Sequence, residues 1–270
     1  MSTFDRSDGY GRALLVAVGL TLLGIIAQQL SATPALLVEP ALATDPTEAS
    51  RGMRTVFMAL NFVGFFIAGA VYLWWTDRGL AYIDVSVPDL RGWAIAVGAF
   101  IAAYGAVLLT NVVAGFLDID QAQSNVLGII GSDPTMVLIM IAIVFLFNAP
   151  AEEFLFRGII QKRLYDAFTK FGAVLVTSAI FTLIHFPVYY FTAPTTLAGI
   201  SVVMIGLFIG SIIFGYSFVA TDNLVVPTLA HALFNAIQFS LLYLVLVYGD
   251  EEDIDAVAGT LLEILPALGV

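Results

Sequence analysis

Seven apolar stretches of roughly 20 residues, each carrying few or no charges, follow one another along this chain. An α-helix needs about 20 apolar residues to cross about 30 Å of hydrocarbon, so each stretch is long enough to span a membrane. The spacing predicts spans near 13–31, 53–75, 92–115, 134–161, 172–188, 196–219 and 224–248. A shorter segment, 256–269, contains Glu263 and Pro266 and reads as an eighth span, with an interfacial helix as the alternative. The chain is 60% hydrophobic and 11% charged, against about 45–50% and about 25% in an ordinary soluble domain. The expected architecture is all-α: a single polytopic membrane domain of about eight helices covering residues 1–270, located in the cell membrane.

The first run, Leu14 to Ile26, has no small-residue cleavage site close behind it, so it is expected to stay as the first helix. The absence of cysteine excludes disulfides, thiolate metal sites and a Cys nucleophile. Basic residues near span ends are retained on the cytoplasmic side. An inward N-terminus puts Arg6, Arg12, Arg78, Arg91, Arg157, Lys162, Arg163 and Lys170 there, and leaves only Arg51 and Arg54 outside. The Pro-, Ala- and Thr-rich segment Ala32 to Ser50 then becomes an external loop, and the acidic segments Asp118 to Asp133 and Asp250 to Asp255 also face outward. The formal net charge of −11 argues against nucleic acid as a partner. With lysine only at positions 162 and 170, it also suits a surface solvated in very salty solvent, the expectation for a halophile.

Ionisable side chains in hydrocarbon are costly unless paired or hydrated, so those inside the spans mark a functional site. The fourth run carries Asn148-Ala-Pro150-Ala-Glu152-Glu153-Phe-Leu-Phe-Arg157-Gly158. Glu153 and Arg157 are four residues apart, on one helical face, where an ion pair lowers the cost of burying both. Glu152 points about 100° away and has no local basic partner, which makes it the candidate reactive carboxylate. Pro150 is expected to kink the helix beside a cavity or a neighbouring helix. The fifth run offers Phe181-Thr-Leu-Ile-His185; in the seventh, His231-Ala-Leu-Phe-Asn235 puts an imidazole and an amide on one face.

Depth tests whether these residues belong together. At about 1.5 Å per residue, Glu152 lies roughly 15 Å in from Lys162 and His185 about 20 Å in from Gly172. His231 and Asn235 lie about 10 and 16 Å in from Leu224. One pocket among spans four, five and seven could collect all four.

The ordered set Glu152-Glu153-xxx-Arg157, Phe181-xxx-His185 and His231-xxx-Asn235 resembles the CPBP family of intramembrane proteases. That family contains the type II CAAX prenyl endopeptidases and bacteriocin-processing or immunity homologues. The resemblance covers about residues 134–240, within a motif-bearing half at about 134–248; the first three spans show no motif that aligns. It implies an eight-helix membrane endopeptidase in which Glu152 is the general base and His185 positions the attacking water. His231 and Asn235 would stabilise the oxyanion, and Glu153 with Arg157 would be a supporting, orienting pair. The implied partners are the bilayer and a membrane-associated peptide or protein, cleaved near a C-terminus that can be lipid-modified.

The residues alone leave other chemistry open. Glu152, His185 and His231 are also a plausible zinc set, in which the metal would activate the same water. The metal-free mechanism is preferred because the chain lacks a His-Glu-x-x-His run and Asn is a better oxyanion donor than metal ligand. A non-proteolytic scaffold or immunity-type role is the second class. A transporter is the third, disfavoured because the buried ionisable groups are confined to spans four, five and seven and no inverted repeat is visible. The aromatics Phe154, Phe156, Phe181, Phe234 and Phe239 read as packing, and Gly199, Gly206, Gly210 and Gly215 as a close-packing stripe on span six. The acidic tail 250–255 reads as a solvated loop.

Overall fold

The computed structural model describes residues 9–120, 122, 126–191 and 196–249. Among these there are no strands, and seven helices are long and apolar enough to cross a membrane. They are α1 (Tyr10–Val38), α2 (Arg51–Trp75), α3 (Leu90–Phe116), α4 (Pro134–Leu164), α5 (Lys170–Tyr190), α6 (Leu197–Thr221) and α7 (Val225–Tyr248). All seven expected long spans are present. The eighth, at 256–269, lies outside the described residues, as do Arg6 and the acidic segment 250–255.

One boundary moves substantially. The expected loop from Ala32 begins inside α1, which runs on through Pro34 to Val38. The hydroxyls of Ser31 and Thr33 bond to main-chain oxygens one turn back, Ala27 O (2.5 Å) and Gln29 O (2.7 Å), so these polar residues are satisfied within the helix and do not mark its end. Glu39 closes the following excursion by accepting from Ser50 N (2.5 Å) and Ser50 Oγ (2.8 Å).

The interhelical connections sort to two ends, as spans of alternating direction require. At one end, Lys162 reaches the Tyr82 carbonyl and the Asp84 carboxylate. There Leu224 N also donates to Asp84 O (2.9 Å), and Asn223 Nδ2 to Ser86 O (3.0 Å). At the other end, Arg51 and Arg54 both bind Asp133, at 2.8 and 3.2 Å. Arg54 also donates to the carbonyls of Ile129 and Ile130. Asp133 in turn caps α4 through the Thr135 and Met136 amides. The Arg51 hydrogen bond holds the Asp133 carboxyl below the usual carboxylate range.

Helix α4 occupies the centre, in contact with α1, α2, α5, α6 and α7, and every residue from Phe154 to Gln161 is buried. A span carrying two acids and an arginine is thereby enclosed by protein, while Leu15, Leu22, Ile26 and Leu30 of α1 and Leu109 and Val112 of α3 face outward. The expected stripe on α6 is only partly a packing surface. Gly206 meets Val107 and Thr110 of α3, and Gly215 meets Val174 of α5 and Gln161 of α4, but Gly210 has open space beside it.

The tightest helix contact is between α1 and α2. A Cβ built on Gly64 would lie 2.0 Å from the Gln28 main-chain nitrogen, so only glycine lets the backbones approach this closely. Gly64→Ala should force the pair apart and cost about 1–3 kcal/mol, seen as a lower thermal midpoint in detergent. Gly98→Ala, at an α3 site with nothing within 4 Å, should leave that midpoint unchanged or raise it slightly.

Candidate active site

Helix α4 is irregular where its charges lie. Val144–Asn148 and Phe154–Gln161 are π-helical and flank one α-helical stretch, Ala149–Glu153. Pro150 has no N–H to donate and its ring crowds the carbonyl one turn earlier, and the wider π turn before it relieves that clash. The helix is locally widened at the position of the expected kink, and both acids project from the α-helical turn between the two wide segments.

Glu153 and Arg157 form the expected pair, with Nη1 to Oε1 at 2.9 Å and both side chains fully buried. Arg157 Nη2 also donates to Ser211 Oγ (2.9 Å) and Ser211 O (3.2 Å) of α6, which ties two helices. Its guanidinium carbon sits 5.0 Å from the Phe181 ring centre and 6.0 Å from that of Phe214. Phe181, read from sequence as packing, therefore also covers the charged cluster.

The same Glu153 Oε1 receives His231 Nδ1 at 2.9 Å. A carboxylate accepts, so Nδ1 carries the hydrogen and Nε2 is the nitrogen left for chemistry. That Nε2 lies 3.8 Å from Glu152 Oε2. Glu152 lacks a basic neighbour along its own helix, but the fold supplies this imidazole from α7. Phe214 stacks on the His231 ring with centroids 5.2 Å apart, which fixes its plane.

Glu152 Oε1 accepts from Asn148 Nδ2 (3.0 Å), and Asn148 Oδ1 accepts from Asn235 Nδ2 (2.8 Å). The amide of Asn148 thus links the two residues the sequence had singled out on α4 and α7. Sequence reasoning gave Asn148 no role, although its position four residues before Glu152 is a usable signal. Ser211 had no such signal, because nothing local to α6 points at Arg157.

His185 is buried on α5. Its Nδ1 lies 2.6 Å from Phe181 O, and since a carbonyl only accepts, Nδ1 is again the protonated nitrogen. Glu152 and His185 line one cavity of about 390 Å³. Its remaining wall comes from α1, α2, other residues of α5 and the short helix Val126–Ile130, including Gln28, Phe57, Asn61 and Phe65. The sequence placed the pocket among spans four, five and seven. The structure gives the cavity to α1, α2, α4 and α5, with His231 and Asn235 of α7 behind the acids.

Among the described residues, no three His, Asp or Glu side chains are grouped as a metal-ligand set. Glu152 Oε2 has no hydrogen-bond partner there although it is buried. A carboxylate with one oxygen held and the other free, at a cavity wall beside a histidine, can accept a proton from a polar molecule in that cavity.

Residues 134–237, less than half of the chain, match the family model described as type II CAAX prenyl endopeptidase Rce1-like. The match takes in α4 to α6 and the first half of α7, and contains every residue of the buried cluster. At family level it supports a peptidase acting on a peptide or protein substrate at a membrane. With the seven apolar helices, the chain is a multi-pass integral membrane protein. No curated protein and no solved structure matches it.

Removing Arg157 leaves Glu153 as a buried charge with less compensation. Arg157→Met should destabilise by about 3–5 kcal/mol. Adding Glu153→Gln, which keeps an acceptor for His231 Nδ1, should recover most of that loss. Denaturant titration of the two variants in detergent measures both effects.

Proposed function

We propose that this chain is an intramembrane endopeptidase whose water is activated by Glu152 and His185 without a metal. The observation that carries the reading is the state of Glu152: buried, fixed through Oε1 by Asn148, and free at Oε2 on a cavity wall that it shares with His185. A water between Glu152 and His185 loses a proton to Glu152 as its oxygen attacks the scissile carbonyl carbon. The carbonyl electron pair moves onto oxygen, and the C–N bond then breaks as Glu152 passes the proton to the leaving amine.

The oxyanion is stabilised from α7. Asn235 spends one N–H on Asn148 and keeps a second, and His231 offers Nε2, which donates when both ring nitrogens carry protons. Glu153 and Arg157 orient this side by holding His231 through Nδ1. The end of the bundle bearing Lys162, Arg163 and Lys170 faces the cytoplasm, by the retention of basic residues there. The substrate is membrane-associated and is cut near a C-terminus that can be lipid-modified.

The test is hydrolysis of a fluorogenic farnesylated CAAX peptide by purified protein in detergent. Glu152→Gln should lower kcat about 10²–10⁴-fold. Asn235→Ala should lower it about 10²–10³-fold, and a strong chelator should have no effect. Undiminished cleavage by Glu152→Gln would overturn the assignment. Chelator sensitivity would move water activation to a metal held by Glu152, His185 and His231. A deletion phenotype rescued by the Glu152 variant would favour a scaffold or immunity-type role.

A further inference from the structure

The cavity has a second polar region, away from the motif residues. Gln28 and Gln29 of α1 and Asn61 of α2 line it, set among Ile25, Phe57 and Phe62. Gln28 and Asn61 are half-buried and Gln29 is exposed; once a ligand covers such amides in a wall otherwise made of large apolar side chains, leaving them without a polar partner is expensive, and a purely hydrocarbon ligand would give them none. Gln28 Nε2 reaches Asn61 Oδ1 at 3.4 Å, a long contact, and Asn61 Nδ2 donates back to Phe57 O at 2.9 Å. Each carboxamide carries two donors and an acceptor of two lone pairs, so capacity remains. An amide offers the same donor and acceptor chemistry as a peptide group.

Among the described residues, no lysine or arginine lines the cavity. Arg157 is held by Glu153 and Ser211, and both terminal nitrogens of Arg54 are held by Asp133, Ile129 O and Ile130 O. Segments 121–125, 192–195 and 250–270 contain no Lys or Arg, and Arg6 is the one basic residue outside the described ones. The one Asp, Glu, Lys or Arg among the described lining residues is Glu152 itself, whose carboxylate would repel an anion. The main chain from which the Gln28 amide projects is positioned by direct packing against Gly64 of α2. A volume near 390 Å³ suits a small ligand or a few residues of peptide.

We propose that Gln28, Gln29 and Asn61 form a subsite that pairs with the main chain of an uncharged, apolar peptide segment, and that binding there makes no use of a substrate carboxylate. This deepens and rests on the protease reading. The segment lies with its apolar side chains against Phe57, Phe62 and Phe65, its peptide groups on the α1–α2 amides and its scissile carbonyl toward Glu152 and His185.

The test separates binding from cleavage. On the Glu152→Gln background, fluorescence polarisation compares a labelled farnesylated peptide as free carboxylate and as carboxamide. The two forms should bind within about threefold of each other, whereas Asn61→Leu and Gln28→Leu should weaken both about tenfold. On the Glu152 background, the same substitutions should raise KM about tenfold and leave kcat within about twofold. Gln28→Lys, which supplies the missing cation, should tighten only the carboxylate form, a gain that misfolding cannot imitate. Unchanged affinity in the leucine variants, or a carboxamide bound more than about tenfold worse than the carboxylate, would overturn the subsite. Amide-dependent binding without any Glu152-dependent cleavage would sink the protease reading and leave the subsite standing. Neither binding nor cleavage by the parent protein would overturn both.

Discussion

A single carboxylate oxygen holds the centre of this protein together. Glu153 Oε1 receives Arg157 from its own helix and His231 from α7, while Arg157 reaches on to Ser211 of α6. In hydrocarbon each of these groups alone would be a heavy cost, and brought together they satisfy one another. The consequence is geometric as well as energetic. Three helices are pinned at one depth, and the imidazole that faces Glu152 is fixed in tautomer and plane by the acid and aromatic ring beside it. The same logic holds a histidine in place where a carboxylate orients it for proton transfer.

Helix α4 can present these groups because it is not a regular helix. Pro150 and the two π segments widen it on both sides of the Glu152–Glu153 turn, so a stretch that would otherwise close its own hydrogen bonds is shaped by its neighbours. Irregular backbone at this depth is tolerable only when enclosed by protein, and α4 is the most enclosed of the spans. Its central position and its chemistry have one cause: the charged span is the one that lipid cannot surround.

The site has two sides of different origin. One is the ordered set of short patterns in the second half of the chain, which also carries the family match. The other is the α1–α2 wall of the cavity, which has no pattern of its own and consists of amides and aromatics set by a close helix contact at Gly64. The chemistry of bond cleavage draws on the first side. The shape and polarity of what can approach Glu152 depend on the second.

How much of this was legible in the residues follows from the range of the interactions. The seven long spans were readable because hydrophobic length is a local property, and so was the Glu153–Arg157 pair, because four-residue spacing places its members on one face. The expected end of α1 was missed because Ser31 and Thr33, polar residues that favour turns and caps, instead place their hydroxyls on main-chain oxygens of their own helix, which runs on through Pro34. Tertiary structure alone decided that His231 serves Glu153 through Nδ1 and faces Glu152 through Nε2, that Asn148 joins Glu152 to Asn235, and that Gln28 and Asn61 share a cavity with His185. Apart from the four-residue step between Asn148 and Glu152, the hydrogen bonds among these join residues from 33 to 87 positions apart, across helices whose rotation about their own axes is set by packing and pairing rather than by any local pattern. Sequence determined which side chains had to escape the lipid; only the packed bundle determined which of them meet.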